Sequence, residues 1–352
     1  MLDREARVHR MHEMSPLSVA LVADFEATRA VWRALQSAVP LAMVESFDLS
    51  DVQFLAAASA RSHFLVGVGD SWEEGVASAA FDAVIADEED LSDFVRRART
   101  FESLRRDHRP LPDEKPPVQP WTERWAQVAD RLGARVRAAF ERAGHPVRVD
   151  HVGSTAVRGL PSPGVVDLQV GVDSLSAADA AADALRAAGF VNLQSLTPGA
   201  PGMRDVPRGP HALRREARKR VFANVDEAQR AIVHVRRTGS ASWRHALLLR
   251  DWLRADAVAR NDYAGVVTMR VASDDASGGV AYARAKEGWF DQAFARAEAW
   301  AAAADWSPAA VAARVPGLRR DRRDAGARSE PGTRDRPAMG RLVPGVGIAS
   351  TE

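Results

Sequence analysis

The chain has 352 residues, 46% hydrophobic and 27% charged, with a net charge of +1. That length suits two domains of about 150 residues, and the composition is that of a globular protein rather than a disordered or fibrous one. Cysteine is absent, which excludes disulfides, thiolate metal sites and a cysteine nucleophile. With no apolar run of about 18 residues and no apolar leader after Met1, a soluble cytoplasmic protein without a membrane partner is expected.

Charge is spread unevenly. Residues 1–110 carry 12 basic against 19 acidic side chains, and residues 307–352 carry nine arginines against five acids. Lysine occurs three times, as Lys115, Lys219 and Lys286. Positive charge is therefore almost all guanidinium, which stays ionised and grips phosphate or carboxylate bidentately.

Residues 18–24 read as a buried strand followed by a helix with Val31, Trp32 and Leu35 on its apolar side. Further strands are expected at 41–47, 63–69 and 81–86, and a helix around 89–105. Strands alternating with helices make residues 1–106 a small, mostly parallel α/β domain. The first strand opens onto Asp24-Phe25-Glu26-Ala27-Thr28, which has neither the glycines nor the lysine of a phosphate-cradling P-loop. Kinase activity is not expected there, and Asp24 reads as a helix cap. Residues 107–120 hold five prolines and form an extended linker.

A second domain is expected over 121–306. Trp121 to Ala143 is an amphipathic helix with Trp125, Val128, Leu132 and Val136 on one face. Val147–Val152 is a strand, His151 to Thr155 breaks into a small-residue turn, and Val165–Val172 is a second strand that carries Asp167 and Gln169. Residues 176–188 are helical, 190–196 a strand, 197–212 a Pro/Gly loop, and 231–236 an apolar strand with His234 embedded in it. Helices follow at 240–255, 257–271 and 280–304. Residues 307–352 lack periodicity and read as a disordered basic tail, solvated rather than bound to nucleic acid.

These residues resemble a known family. His151-Val152-Gly153-Ser154-Thr155, with Gly159-Leu160 and Asp167 behind it, is similar to the signature of the GrpB (UPF0157) family, close to H-x-G-S-T-x-V-x-G-L-x-x-K-x-x-x-D. Val233-His234-Val235-Arg236, Leu249-Arg250-Asp251-Trp252-Leu253-Arg254, and Tyr282 with Lys286 resemble three further family segments, in order, over about 120–306. The resemblance implies a nucleotidyltransferase-like mixed sheet and a nucleotide or phosphorylated small molecule as ligand. In actinobacteria such a domain is also fused behind a dephospho-CoA kinase and regarded as an accessory folding module. A non-catalytic module with a CoA-pathway kinase as protein partner is therefore the alternative.

The expected ligand-binding residues are Gly153, Ser154, Thr155, Asp167, Gln169, His234, Arg236 and Lys286, with Asp167 as the metal ligand if Mg²⁺ takes part. Alternate strand residues share a face, so a nucleotidyltransferase places two acids at the positions of Asp167 and Gln169 to hold divalent metal. Here the second is an amide, and Pro163 stands where the signature has lysine. Any surviving enzyme would be a metal-dependent nucleotidyltransferase-like transferase. A lysine that the family carries a turn after Tyr263 is also replaced, with Val267 and Met269 nearby; Arg158, Arg204 and Arg208 are the cations that could stand in for the two, and a buried Asp167 needs an arginine or a ligand as partner.

Overall fold

The computed structural model describes residues 15–23, 25–40, 42–47, 58, 60–69, 81–112, 116–200, 202–206, 208, 217–268 and 276–308, with backbone alone for 25–27, 47 and 276–285. The expected roles of Asp24, of Tyr282, of part of the 197–212 loop and of the basic tail beyond 308 fall outside the described side chains.

Two sheets form the framework. The first holds β1 (Ser18–Val22), β2 (Met43–Phe47), β3 (Phe64–Val68) and β4 (Ala83–Ile85) in the order β2-β1-β3-β4. All three pairings are parallel. Helices α1 (Phe25–Ala38) and α2 (Glu88–Asp107) connect and follow these strands. Helix α2 starts at Asp87, whose side chain accepts from the Asp90 N–H, and has Glu88, Glu89 and Asp90 in its first turn, where the helix dipole favours anions.

The second sheet is mixed. It comprises β5 (Arg148–Val152), β6 (Val166–Val172), β7 (Phe190–Asn192), β8 (Arg220–Asn224) and β9 (Ala231–Arg237), ordered β5-β6-β9-β8-β7. Only β6 and β9 run parallel; the other pairs are antiparallel. The expected strand over 190–196 is shorter than the sequence suggests. At Asn192 the side chain accepts from the N–H groups of Gln194 and Ser195 and turns the chain into a short helix, a local alternative to strand pairing. Strand β8 was not among the expected strands, and it completes the far half of the sheet.

One face of this sheet is core. Val166, Leu168, Val170 and Val172 of β6, with Ala231, Val233 and Val235 of β9, pack under helix α3 (Arg124–Arg142), whose Val128, Leu132, Val136 and Phe140 are buried there. The intervening helices α4 (Ser176–Ala180), α5 (Ala182–Ala187) and α6 (Leu193–Leu196) split what the sequence suggests is one helix and a strand. On the opposite face lie Asp167, Gln169, His234 and Arg236, under helix α7 (Ala241–Ala255). Helices α8 (Ala257–Thr268) and α9 (Ala276–Ala303) complete an aromatic cluster around Trp252, Tyr263 and Trp289.

The sheets share buried contacts. The first core takes in Val191 and Val225 from the second half, and Phe101 of α2 lies so close to Gly189 that a Cβ there would come within 2.4 Å of the ring. Asp82 receives Arg131 and Arg135 of α3, the Gln229 side-chain amide and the Leu65 N–H. Arg97 of α2 pairs bidentately with Asp226 at 2.7 and 2.6 Å.

Candidate functional site

A cavity of about 550 Å³ opens between the polar face of the second sheet and helix α7. Helix α7 turns the side carrying Ser242, His245, Ala246, Leu249, Arg250 and Leu253 toward it. That spacing of three and four residues is one stripe of a helix. Tyr263 of α8 and Phe290 of α9 add apolar wall, while the turn after β5 and the 202–208 loop close the rest. Among the described residues the lining carries six cations (Arg204, Arg208, Lys219, Arg236, Arg250, Lys286) against three carboxylates (Asp167, Asp205, Glu287), while Asp251 and Asp291 pair with Arg250 and Arg208 from beside it.

The turn and Asp167 are built for each other. Gly153 has φ +74°, a left-handed conformation that costs an L side chain about 1–2 kcal/mol. A Cβ at Gly153 would also lie 2.3 Å from Asp167 Oδ2. Glycine is therefore needed both for the turn and for the carboxylate to lie against it. Asp167 Oδ1 is 3.2 Å from His234 Nε2, so its side-chain partner is an imidazole, where an arginine or a ligand was expected. Burial pushes the Asp167 carboxyl up, but the His234 hydrogen bond and charge, with Lys286 and His151 beyond, outweigh it and hold the group below its ordinary value. His234 itself is pushed down to about 4, by burial first and then by Lys219, against the raising influence of Asp167. At neutral pH it is a neutral imidazole beside a carboxylate.

Gln169 is not turned into the cavity. It is fully buried, donates to the Trp243 carbonyl at 3.0 Å and accepts from Arg236 Nη1 at 2.7 Å. Arg236 in turn grips both oxygens of Asp205 at 2.7 and 2.8 Å, and Lys219 reaches the same carboxylate at 2.8 Å. Burial would raise the Asp205 carboxyl, but these two cations hold it far below the usual range. Thus the amide at the second acid position orients an arginine.

The family model described as GrpB protein matches residues 115–296. The chain belongs to the GrpB family. The chain is 39% identical over 193 residues to a dephospho-CoA kinase of Mycolicibacterium paratuberculosis, covering 52% of this chain and 46% of that one. It is 34% identical over 274 residues to a dephospho-CoA kinase of Mycobacterium tuberculosis, covering 72% and 64%, and 34% identical over 143 residues to a UPF0157 protein of Streptomyces coelicolor, covering 41% and 63%. The chain thus spans about half to just under two thirds of the length of the curated relatives it matches.

Of the GrpB-signature residues, Gly153, Ser154, Asp167, His234, Arg236 and Lys286 line the cavity. Thr155 and Gln169 do not. Thr155 is buried and hydrogen-bonds through Oγ1 with His151 Nε2 at 2.9 Å on the other side of the turn. Of the three arginines weighed as substitutes for lost lysines, Arg204 and Arg208 reach the cavity and Arg158 does not. Arg208 is engaged by Glu287 and Asp291. Sequence reasoning missed Lys219 and Asp205, because an ion pair between a loop and an adjoining strand leaves no local pattern.

The residues present fit Mg²⁺ chemistry poorly. Asp167 has one oxygen on His234 and the other against Gly153; Gln169 is committed to Arg236; and Asp205 is saturated by two cations. Among the described residues no three His, Asp or Glu side chains gather as a metal site, and none of the described helices is long and apolar enough to cross a membrane.

Proposed function

We propose that this GrpB domain binds a phosphorylated small molecule of the nucleotide class in the cavity beneath α7, on a nucleotidyltransferase-like scaffold that no longer transfers nucleotidyl groups. The observation that carries the reading is the excess of cations around a cavity of about 550 Å³ with the Gly153-Ser154 turn at its edge, a size in the range of small-molecule sites. The wall formed by Leu249, Leu253, Tyr263 and Phe290 suits the apolar body of such a ligand, and Lys286, Arg204 and Arg236 supply the field for its phosphate. Two-metal catalysis on this strand needs carboxylates at alternate positions of one face, and Gln169 stands at one of them.

The test is a thermal-shift panel on the full chain, with nucleotides, CoA precursors and inorganic phosphate, each with and without Mg²⁺. A ligand at about 100 times its Kd adds about 2.7 kcal/mol to the folded state. The expected result is a rise in melting temperature with phosphorylated compounds that is lost in Lys286→Gln. A panel without any shift refutes the reading.

A second reading has its own support. The likeness to mycobacterial dephospho-CoA kinases takes in 72% of the chain, beyond the residues the GrpB model matches. A non-catalytic module that stabilises a CoA-pathway kinase, in the cytoplasm, would share that likeness. Co-purification with such a kinase, together with a flat ligand panel, would favour it.

A further inference from the structure

The GrpB signature is split by its own turn. Ser154 faces the first cavity, whereas His151 and Thr155 line a second one of about 580 Å³ on the other side, between the start of α3 and the α7–α8 junction. The reading above leaves that half of the signature without a task. Three arginines, Arg158, Arg254 and Arg260, line this second cavity, with Glu123 as the one carboxylate of the described lining.

Among the described residues, neither Arg158 nor Arg260 has a carboxylate within ion-pair distance, and Arg254 has only Asp251 at 3.7 Å. Their bonds hold them in place and leave donors over. Arg254 Nε donates to the Ala156 carbonyl at 2.9 Å, Arg260 Nη1 donates to the carbonyls of Leu253 and Arg254, and Arg158 lies over the Trp121 ring at 5.6 Å. Trp121 is itself fixed by its Nε1–H on the Thr155 carbonyl at 3.1 Å. Burial and the neighbouring Arg250 disfavour the charged form of Arg254, and Asp251 offsets them only in part. His151, pushed down to about 4 mainly by burial, adds no charge at neutral pH and keeps its contact with Thr155 Oγ1.

We propose that this second cavity is an anion site for a phosphate or pyrophosphate group, held by Arg158, Arg254 and Arg260 against the Trp121 face. Planar guanidiniums with spare donors match phosphate oxygens in fork geometry, and three of them against one exposed glutamate suit a multiply charged anion better than a single carboxylate.

The experiment is isothermal titration of pyrophosphate into the full chain and into Arg158→Gln/Arg260→Gln, with Arg158→Lys/Arg260→Lys as control. Arg260 also holds the Leu253 and Arg254 carbonyls and Arg158 the Trp121 face, so the urea midpoint of each variant is measured alongside and the titrations are compared where all three chains are folded. The expected result is binding by the parent chain, a loss of about tenfold or more in the glutamine variant, and partial recovery in the lysine variant. The nucleotide shift of the first cavity should persist in all three, which separates this site from the one proposed above. A short single-stranded oligonucleotide that displaces pyrophosphate would assign the phosphate to a nucleic-acid backbone; lack of displacement would assign it to a free small molecule. No uptake by the parent chain at millimolar pyrophosphate, or affinities within twofold in the glutamine variant, would overturn the proposal.

Discussion

Asp82 is the residue whose loss the chain should tolerate least. It precedes β4 in the first sheet, its side chain is fully buried, and its charged partners Arg131 and Arg135 come from α3, across the proline-rich segment. Four groups converge on two oxygens: the two guanidiniums, the Leu65 N–H at 2.8 Å and the Gln229 amide at 2.8 Å. Burial pushes the carboxyl up, yet Arg135, Arg131, the Leu65 N–H and Arg97 together hold it below its ordinary value. Asp82→Ala removes the carboxylate that two buried guanidiniums share. Breaking a buried pair from one side costs about 3–5 kcal/mol, or roughly 6–10 °C in melting temperature for a unit of this size. Urea unfolding followed by far-UV circular dichroism and by tryptophan fluorescence would measure it. Coincident transitions are expected in the parent chain. In the variant, the first sheet should unfold at lower urea than the GrpB half. Stability owed to a depressed carboxyl is present above the unfolded value of about 3.9 and is lost as pH falls through the folded one. Asp82→Asn should therefore be less stable than the parent above about pH 3.9, and the gap between the two should narrow as pH falls further. A cost below about 1 kcal/mol in Asp82→Ala would refute the reasoning, because it would mean that the arginines find water or other partners at no loss.

Three further outcomes are expected. His63 Nε2 donates to the Ala187 carbonyl and Nδ1 accepts from the Ser18 N–H at 2.9 Å; burial and Arg105 push it to about 3. The unfolded chain protonates it below about 6.5, so lowering pH from 7 to 5 should remove roughly 2 kcal/mol of stability on its account, and His63→Asn should flatten that part of the urea-midpoint profile. Gly153→Ala should cost about 1–2 kcal/mol for the backbone alone and more for the clash with Asp167; an unchanged melting temperature with an unchanged ligand response would contradict the geometry. Gln169→Glu restores the second acid in sequence, but Arg236 stands 2.7 Å from the amide oxygen and should take the new carboxylate. Mg²⁺ should then leave the melting temperature unmoved, and a gain of micromolar Mg²⁺ binding would show that the acid had been the missing part.

Local pattern made much of the fold legible. The β6 and β9 residues alternate between core and polar face, and helices α3 and α7 carry apolar stripes, so their faces follow from periods of 2.0 and 3.6 residues. The signature residues and His234-Val235-Arg236 could be placed together because parallel pairing sets Gln169 opposite His234. What stayed hidden was long-range or context-bound. Strand β8 is five residues, RVFAN, too short for alternation to distinguish from a turn of helix, and only pairing on both sides makes it a strand. The buried hydrogen bonds to Asp82 from Arg131, Arg135 and Gln229 join positions 49 to 147 residues apart, and no periodicity encodes such a distance.

The signature also shows why composition at a site can mislead. Gln169 reads in sequence as a lost acid, because the scaffold is judged by what catalysis would require. In the structure an acid at 169 would adjoin Arg236, which already has Asp205 on two of its nitrogens. The neutral amide accepts the third nitrogen and spends its own N–H on the Trp243 carbonyl, so every polar atom of a fully buried side chain is used. A glutamate there would forfeit the bond to Trp243 and crowd a second carboxylate toward Asp205. The amide and the Arg236–Asp205–Lys219 cluster are thus one solution rather than two. What this arrangement fixes is a guanidinium at the edge of the cavity, the cation that the proposed phosphate site calls on.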